Sequence, residues 1–220
     1  MKREIIITAD GSTTIHIPEW DEQYHSKHGA IQEAYHVFIK SGLSLFENRN
    51  ISILEIGFGT GLNTLITFFE AQKRTLNVNY IGVEAYPILQ EELEKLNYSS
   101  ELDFENCIEV FNKIHSLDWG NQHKVSDDFQ LTKRQQFFDD IEDENRCDLI
   151  YFDAFGARIQ PELWTESIFK KMYNALHYGG VLVTYSAKGS VRRAMISVGF
   201  VVERLEGPPG KREMLRAKKI

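Results

Sequence analysis

The sequence has few cysteines, few prolines and no long apolar run. Its 220 residues include two cysteines, Cys107 and Cys147, which stand far from any Cys-x-x-Cys spacing. This argues against a structural zinc site or a disulfide framework, and it fits a reducing compartment. No apolar stretch approaches the roughly 20 residues of a membrane-spanning helix. The first residues hold only a three-residue apolar run, which is too short for a signal peptide. We therefore predict a cytoplasmic protein with no membrane contact.

The net charge of −7 argues against a general nucleic-acid binder, but the charge is unevenly distributed. Residues 185–220 carry nine Lys or Arg and three Glu, so this end is basic while the rest of the chain is acidic. A basic end on an acidic body can dock a polyanion locally. Solvated surface lysines and arginines on a last helix and strand are the alternative interpretation of the same charges.

Apolar runs alternate along the chain with amphipathic stretches, which predicts an α/β fold. We predict strands at residues 51–57, 79–84, 129–133, 147–153, 181–185, 200–205 and 212–217. We predict helices at residues 30–47, 61–73, 87–96, 104–117, 161–176 and 189–198. This order indicates a Rossmann-like, mostly parallel seven-stranded sheet with an antiparallel last strand and helices on both faces. Residues 1–48 are expected to add a short N-terminal extension, a hairpin, a helix and a lid, before a main domain at 49–220.

A glycine turn is the most informative motif. The apolar run at residues 51–56 leads into Gly57, Gly59 and Gly61, and a helical pattern follows at once. A strand, a tight glycine turn and a helix form the entry to a nucleotide-binding α/β unit. The spacing is Gly-x-Gly-x-Gly with an acid, Glu55, before it, which suits a ligand with a sulfonium and a carboxylate better than a diphosphate. Helix packing alone is the alternative role for such glycines.

Acids end two further predicted strands. Glu84 follows the second strand and can accept hydrogen bonds from both hydroxyls of a ribose. Asp153 ends the buried strand at 147–153 and should project into the cleft beside a reacting centre, although it could instead cap the following helix. Gln135, just after the third strand, could meet an adenine edge. Ligands bind at the carboxyl ends of such strands, so we expect these side chains to converge.

The segment at residues 21–30 is dense in polar and aromatic groups, including His25 and His28. A metal site would need more ligands nearby, and none is patterned for one, so no metal is expected. A loop that folds over the ligand and an ordinary structured surface loop are both compatible with this composition.

Several of these segments resemble known enzymes. Residues 54–63, Leu-Glu-Ile-Gly-Phe-Gly-Thr-Gly-Leu-Asn, are similar to motif one of class I S-adenosylmethionine-dependent methyltransferases. Residues 24–30, 152–155 with 161–165, and 179–193 with 199–200 and 210–215 resemble the MnmC-type methyltransferase domain in its stand-alone form. The resemblance runs from about residue 20 to residue 220.

The resemblance implies methylation of the 5-aminomethyl group of wobble 2-thiouridine in tRNA, with S-adenosyl-L-methionine as cofactor and no flavin in this chain. Asp153 would hold the acceptor amine as the catalytic residue. The implied cofactor-binding residues are Glu55, Gly57, Gly59, Gly61, Asn63, Glu84 and Gln135. Tyr24 and Phe155 would wall the base pocket, since RNA loops are commonly read by stacking on splayed-out bases. The implied contacts to phosphates of the anticodon stem-loop are Lys188, Arg192, Arg193, Lys211 and Arg212.

Three other functions fit parts of the pattern. A methyltransferase of another amine, small or protein-borne, would use the same fold, but the basic end argues against it. An aminopropyltransferase also combines a glycine motif with a strand-end Asp. A non-catalytic tRNA-binding module would not need the intact glycines and both strand-end acids.

Overall fold

The computed structural model describes residues 2–220. The chain begins with a small antiparallel sheet of three strands, β1 (Glu4–Ile7), β2 (Thr13–Ile17) and β3 (Glu22–Gln23). The turn between β1 and β2 is closed by Asp10, whose Oδ1 accepts from the Thr8 and Ser12 hydroxyls. Gly11 follows with φ +87°, a conformation that favours glycine. The hairpin expected within the N-terminal extension is therefore present.

A helical segment connects this sheet to the main domain. Helix α1 (Ala30–Ala34) continues directly into a π-helical turn, Tyr35–Lys40, and a short 3-10 turn follows at Leu43–Leu45. Its buried side chains, among them Val37 and Phe38, join the main core. The predicted helix at 30–47 is therefore present, although it is broken after residue 40.

The main sheet contains eight strands. Their bounds are β4 (Asn50–Ile56), β5 (Asn77–Glu84), β6 (Gln122–Ser126), β7 (Phe129–Gln135), β8 (Cys147–Phe152), β9 (Leu176–Thr184), β10 (Val201–Glu206) and β11 (Glu213–Lys218). In space they run β10-β11-β9-β8-β4-β5-β7-β6. The five central strands, from β9 to β7, are parallel, whereas β11 pairs antiparallel with both β9 and β10. The predicted mostly parallel sheet with an antiparallel last strand is confirmed.

Helices cover both faces, so the central strands are buried on both sides and read as continuous apolar runs. The remaining helices are α2 (Leu62–Lys73), α3 (Gln90–Leu93), α4 (Tyr98–Glu101), α5 (Cys107–Ser116), α6 (Glu166–Ala175) and α7 (Gly189–Ser197). One core lies under α2, α5 and the segment after α1. The other lies under α6 and α7.

Three local predictions were wrong. The sheet has one strand more than the seven predicted, because β6 has a polar sequence and pairs only with β7 at the edge. The helix predicted from Pro87 begins later, at Gln90, where the Glu92 carboxylate accepts from the Leu89 N–H at 2.7 Å. The strand predicted at 181–185 begins earlier, because β9 starts at Leu176 and includes Gly179, which has φ +81° and whose N–H donates to Lys219 O.

Candidate active site

A cavity of about 660 Å³ lies at the carboxyl ends of the central strands, a size typical of small-molecule sites. The sheet edge forms its floor through the segments that follow β4, β5, β7 and β8. The N-terminal extension forms the facing wall through residues of the 20–28 segment and α1. The cavity therefore lies between the extension and the main domain.

The glycine turn lies on the cavity floor. Its glycines have φ of +92° (Gly57), +50° (Gly59) and +74° (Gly61), all in the region that favours glycine. A Cβ on Gly57 would stand 2.6 Å from the Asp153 backbone oxygen. The turn is held to β5 because the Gly57 and Phe58 N–H groups both donate to Val83 O at 3.0 Å. Because Gly57 has no side chain, the backbone after β4 can pack directly against the backbone after β8 at the floor of the cavity.

Glu84 fixes the rim of this turn. One carboxylate oxygen accepts from the Gly59 N–H at 3.0 Å, and the other accepts from the Tyr86 N–H at 2.9 Å. Each oxygen has a further lone pair, and the side chain lines the cavity. Glu84 can therefore hold the turn and still accept hydrogen bonds from a ligand hydroxyl.

Asn63, in the first turn of α2, links two carboxylates. Its Nδ2 donates to Glu55 Oε1 and to Asp153 Oδ2, both at 2.9 Å. Thr64 donates to the other oxygen of Glu55 at 3.1 Å. The Asn63 Oδ1 atom is buried and has no partner among the described residues. Buried polar atoms are normally hydrogen-bonded, so this oxygen is available to a bound ligand.

Burial shifts the protonation of both acids. It raises the pKa of Glu55 to about 8, and the nearby Asp153 charge adds to this while the Asn63 amide opposes it. It also raises the pKa of Asp153 to about 7, with a further contribution from the Glu33 charge, against the Asn63 amide and the Lys211 charge. A carboxyl whose pKa lies near neutrality can exchange a proton with a substrate at physiological pH.

Aromatic rings form the wall next to Asp153. The Phe155 ring meets Tyr24 edge-on at 5.0 Å between centroids and Trp20 at 5.5 Å. The Phe155 carbonyl accepts from Trp164 Nε1 at 2.8 Å, which fixes the backbone of this loop. Such a wall offers flat apolar faces beside a carboxylate, as a heteroaromatic base with a polar substituent requires.

Charged groups close the cavity on the side of α1. The Glu33 carboxylate pairs with the Lys211 ammonium, which comes from the turn between β10 and β11. The same ammonium lies 4.0 Å from the centroid of the Tyr185 ring. The Tyr185 hydroxyl donates to Ala154 O at 2.8 Å, next to Asp153.

The structure brings most of the predicted site residues together. The predicted residues that line the cavity are Gly57, Gly59, Asn63, Glu84, Asp153, Tyr24, Phe155 and Lys211. The role predicted for Lys211 was a phosphate contact, but its ammonium points inward to Glu33. Glu55 and Gly61 lie behind the lining, where Glu55 supports Asn63 and Gly61 precedes α2.

The remaining predicted residues do not line the cavity. Gln135 is exposed and still belongs to β7, where it pairs in register with Glu84. The residues after β7 that do line the cavity are Phe137, Phe138 and Asp139. Lys188, Arg193 and Arg212 are exposed and Arg192 is half-buried, all near the edge where the central strands end.

Sequence reasoning missed several lining residues. Arg3 reaches the rim through an ion pair with Glu92 at 3.0 Å and lies 5.8 Å from the Tyr24 ring centroid. Trp20 and Glu33 come from the extension, where no local pattern marks a ligand contact. The signal that could have found Asp139 is its place directly after two aromatic residues at the end of a strand.

His25 and His28 both line the cavity but differ in their contacts. His25 is held by Thr14, whose Oγ1 lies 3.0 Å from Nδ1, and burial lowers the pKa of His25 to about 4. His28 is exposed and packs against Gly210. Within residues 2–220, no group of three or more His, Cys, Asp or Glu is arranged to hold a metal ion. No helix in this part of the chain is long and apolar enough to cross a membrane.

Comparison with known protein families identifies the family of this chain. A family described as S-adenosyl-L-methionine-dependent methyltransferase matches residues 104–220, more than half of the chain. The chain belongs to this family. It is therefore an S-adenosyl-L-methionine-dependent methyltransferase.

Individual relatives of this chain share one name. The chain is 30% identical over 224 residues to the tRNA 5-methylaminomethyl-2-thiouridine biosynthesis bifunctional protein MnmC of Ectopseudomonas mendocina, covering 90% of this chain and 34% of that protein. It is 31% identical over 223 residues to the protein of the same name from Leptospira borgpetersenii, with 90% and 32% covered. The methyltransferase thus spans about a third of the length of the curated relatives it matches.

Solved structures of similar fold include a protein of related name. MNMC2 from Aquifex aeolicus superposes with a TM-score of 0.78 at 26% identity, covering 98% of this chain and 70% of that one. Spermidine synthase from Thermotoga maritima reaches a TM-score of 0.54 at 14% identity, with 100% and 72% covered, which shows a shared fold. The Rossmann-like methyltransferase fold expected from the sequence is confirmed.

The residues present fit S-adenosyl-L-methionine. The glycine turn leaves backbone accessible where a Cβ on Gly59 would meet Tyr24 at 3.2 Å. The Glu84 carboxylate has lone pairs left for ligand hydroxyls, and Asn63, whose Oδ1 is buried without a partner, is also a lining residue. The floor of the cavity is therefore suited to a polar nucleoside with a cationic centre.

Proposed function

We propose that this methyltransferase methylates the 5-aminomethyl group of wobble 2-thiouridine in tRNA, acting in the cytoplasm. The observation that carries the proposal is the position of Asp153, a carboxylate on the cavity floor beside the aromatic wall of Tyr24 and Phe155. The name of the MnmC relatives and the likeness to MNMC2 support the same substrate.

The cofactor would lie along the glycine turn. Gly57 and Gly59 give it a surface of backbone, Glu84 would accept from its ribose hydroxyls, and Asn63 would face its polar end. Glu55 would act from behind by holding Asn63 in place. Phe138 and Asp139, which line the cavity after β7, are better placed than Gln135 to meet the adenine. When bound, S-adenosyl-L-methionine supplies an electrophilic methyl group on a sulfonium.

Asp153 would bind and deprotonate the acceptor. A primary alkylamine is protonated near neutral pH and must lose one proton before its nitrogen lone pair can attack. The Asp153 carboxylate would take that proton, forming a carboxylic acid and a neutral amine. The neutral nitrogen would then have the free lone pair that methyl transfer requires. Asn63 would keep the carboxylate oriented during this exchange.

The aromatic wall would select the acceptor. A wobble base that leaves the anticodon loop can stack on Tyr24 or Phe155, and base stacking on aromatic rings is the usual mode of reading single-stranded RNA. Lys188, Arg193 and Arg212 are exposed near the same sheet edge and would contact phosphates of the stem-loop, together with the half-buried Arg192.

The decisive experiment combines the purified protein, S-adenosyl-L-methionine and tRNA from cells that lack this modification, followed by mass spectrometry of the nucleosides. We expect the 5-aminomethyl-2-thiouridine nucleoside to gain one methyl group. Asp153→Asn is the matched variant, and it should lose the product while it keeps cofactor binding. Full turnover by Asp153→Asn, or no methylated nucleoside with the native protein, would contradict the proposal.

A further inference from the structure

The cavity already contains a well-placed cation that the methyl-transfer step does not use. The Lys211 ammonium pairs with the Glu33 carboxylate and lies 4.0 Å from the centroid of the Tyr185 ring. A carboxylate on one side and an aromatic face on the other is how proteins bind alkylammonium groups. Lys211 therefore marks a position that suits an ammonium.

The surroundings of this position are negative. Glu33 is only 7% exposed, and its second oxygen accepts from the Ser26 N–H at 2.9 Å, so the carboxylate is fixed. Burial and the charges of Asp153, Glu33 and Glu22 raise the pKa of Tyr185. Its hydroxyl thus stays protonated, and the nearby acids favour any cation that enters.

We infer that Glu33 and the Tyr185 ring form an ammonium subsite beside Asp153, which Lys211 occupies until the protonated amine of the acceptor displaces it. The inference rests on the proposed function for the identity of the acceptor as a primary amine. The exchange replaces one cation by another, so Glu33 is never left buried without a counter-charge. Lys211 is 34% exposed and has a flexible side chain, so it can move out to solvent.

A small probe tests the subsite without tRNA. Binding of propylammonium is measured by saturation-transfer NMR, with propan-1-ol as the neutral isostere. We expect Lys211→Met, which keeps the apolar stem, to bind propylammonium more tightly than the native protein, and the Glu33→Gln/Lys211→Met double variant to lose this binding. Propan-1-ol should not distinguish them. Equal propylammonium binding by all three proteins would overturn the subsite.

Kinetics with the tRNA acceptor provide the second test. Glu33→Gln should raise the acceptor KM by about tenfold or more, because a charge-assisted contact is lost, and leave the cofactor Kd unchanged. Lys211→Met should leave the acceptor KM at or below the native value. Exposed Glu109→Gln and Lys95→Met are the charge-matched controls. If Lys211→Met raises KM as much as Glu33→Gln, Lys211 binds phosphate or serves structure, and the inference is wrong. If propylammonium binds as expected but no tRNA is methylated, the proposed function fails and the subsite stands.

Discussion

Glu55 should make the cofactor-free protein less stable as the pH rises. Its carboxyl is fully buried and its pKa is raised from 4.5 to about 8. Between these values the folded state holds a proton that the unfolded state has lost. The free energy of unfolding therefore falls with increasing pH over this window. Below about pH 4.5 both states are protonated and the effect vanishes.

The size of the effect follows from the shift. With a folded pKa of about 8, linkage gives a loss of roughly 3 kcal/mol between about pH 5 and pH 8. For a chain of this length, about 3 kcal/mol corresponds to roughly 6–12 °C in Tm. Glu55→Gln should remove this loss, because the amide is neutral, can accept from Asn63 and can donate to Thr64.

The assay is thermal unfolding without cofactor from about pH 5 to pH 8, a window set by the linkage argument, for the native protein, Glu55→Gln and the exposed control Glu109→Gln. Taking the difference between native and Glu55→Gln cancels the groups that do not interact with Glu55, such as His25, whose pKa is lowered to about 4. Asp153 does not cancel, because its charge contributes to the raised pKa of Glu55. We expect the Tm advantage of Glu55→Gln to grow with pH and the control to track the native protein. Parallel curves for native and Glu55→Gln would refute the reasoning.

Three further predictions concern the site. Gly57→Ala should abolish cofactor binding and lower Tm, since its Cβ would stand 2.6 Å from Asp153 O. Gly120→Ala is the control for backbone strain alone, because Gly120 also has a positive φ but lies in open space. Equal effects of the two substitutions would contradict the clash. Glu84→Ala should weaken cofactor affinity by about 10- to 100-fold in calorimetry, as expected for hydrogen bonds to a charged group, and unchanged affinity would exclude the ribose contact. Reversing the charges of Lys188 and Arg193 should weaken tRNA binding and reduce its salt dependence by about two phosphate contacts, with cofactor affinity as the unaffected reference; an unaltered salt slope would place the RNA elsewhere.

The fold and the floor of the site could be predicted from the sequence because both depend on local patterns. Alternating apolar runs and amphipathic stretches specify strands and helices, and parallel strands bring their carboxyl ends to one edge. Gly57, Glu84 and Asp153 each sit at such an end, so their convergence follows from the topology.

The rest of the site could not be predicted because it depends on long-range contacts or on exact strand ends. Strand β7 runs two residues further than predicted, to Gln135, so the residues that reach the cavity shift to Phe138 and Asp139. The pair between Glu33 and Lys211 joins residues 178 positions apart. From the sequence alone, Lys211 in its basic segment is indistinguishable from a surface charge, because its partner Glu33 is distant along the chain.

The contact between the N-terminal extension and the last hairpin has a consequence during synthesis. His36 Nε2 lies 2.8 Å from Glu206 O, His28 packs against Gly210, and Glu33 meets Lys211. Gly210 and Lys211 line the cavity, so this side of it lacks a wall until residues 206–211 are made. The cavity of a nascent chain is therefore complete only when the last hairpin has left the ribosome.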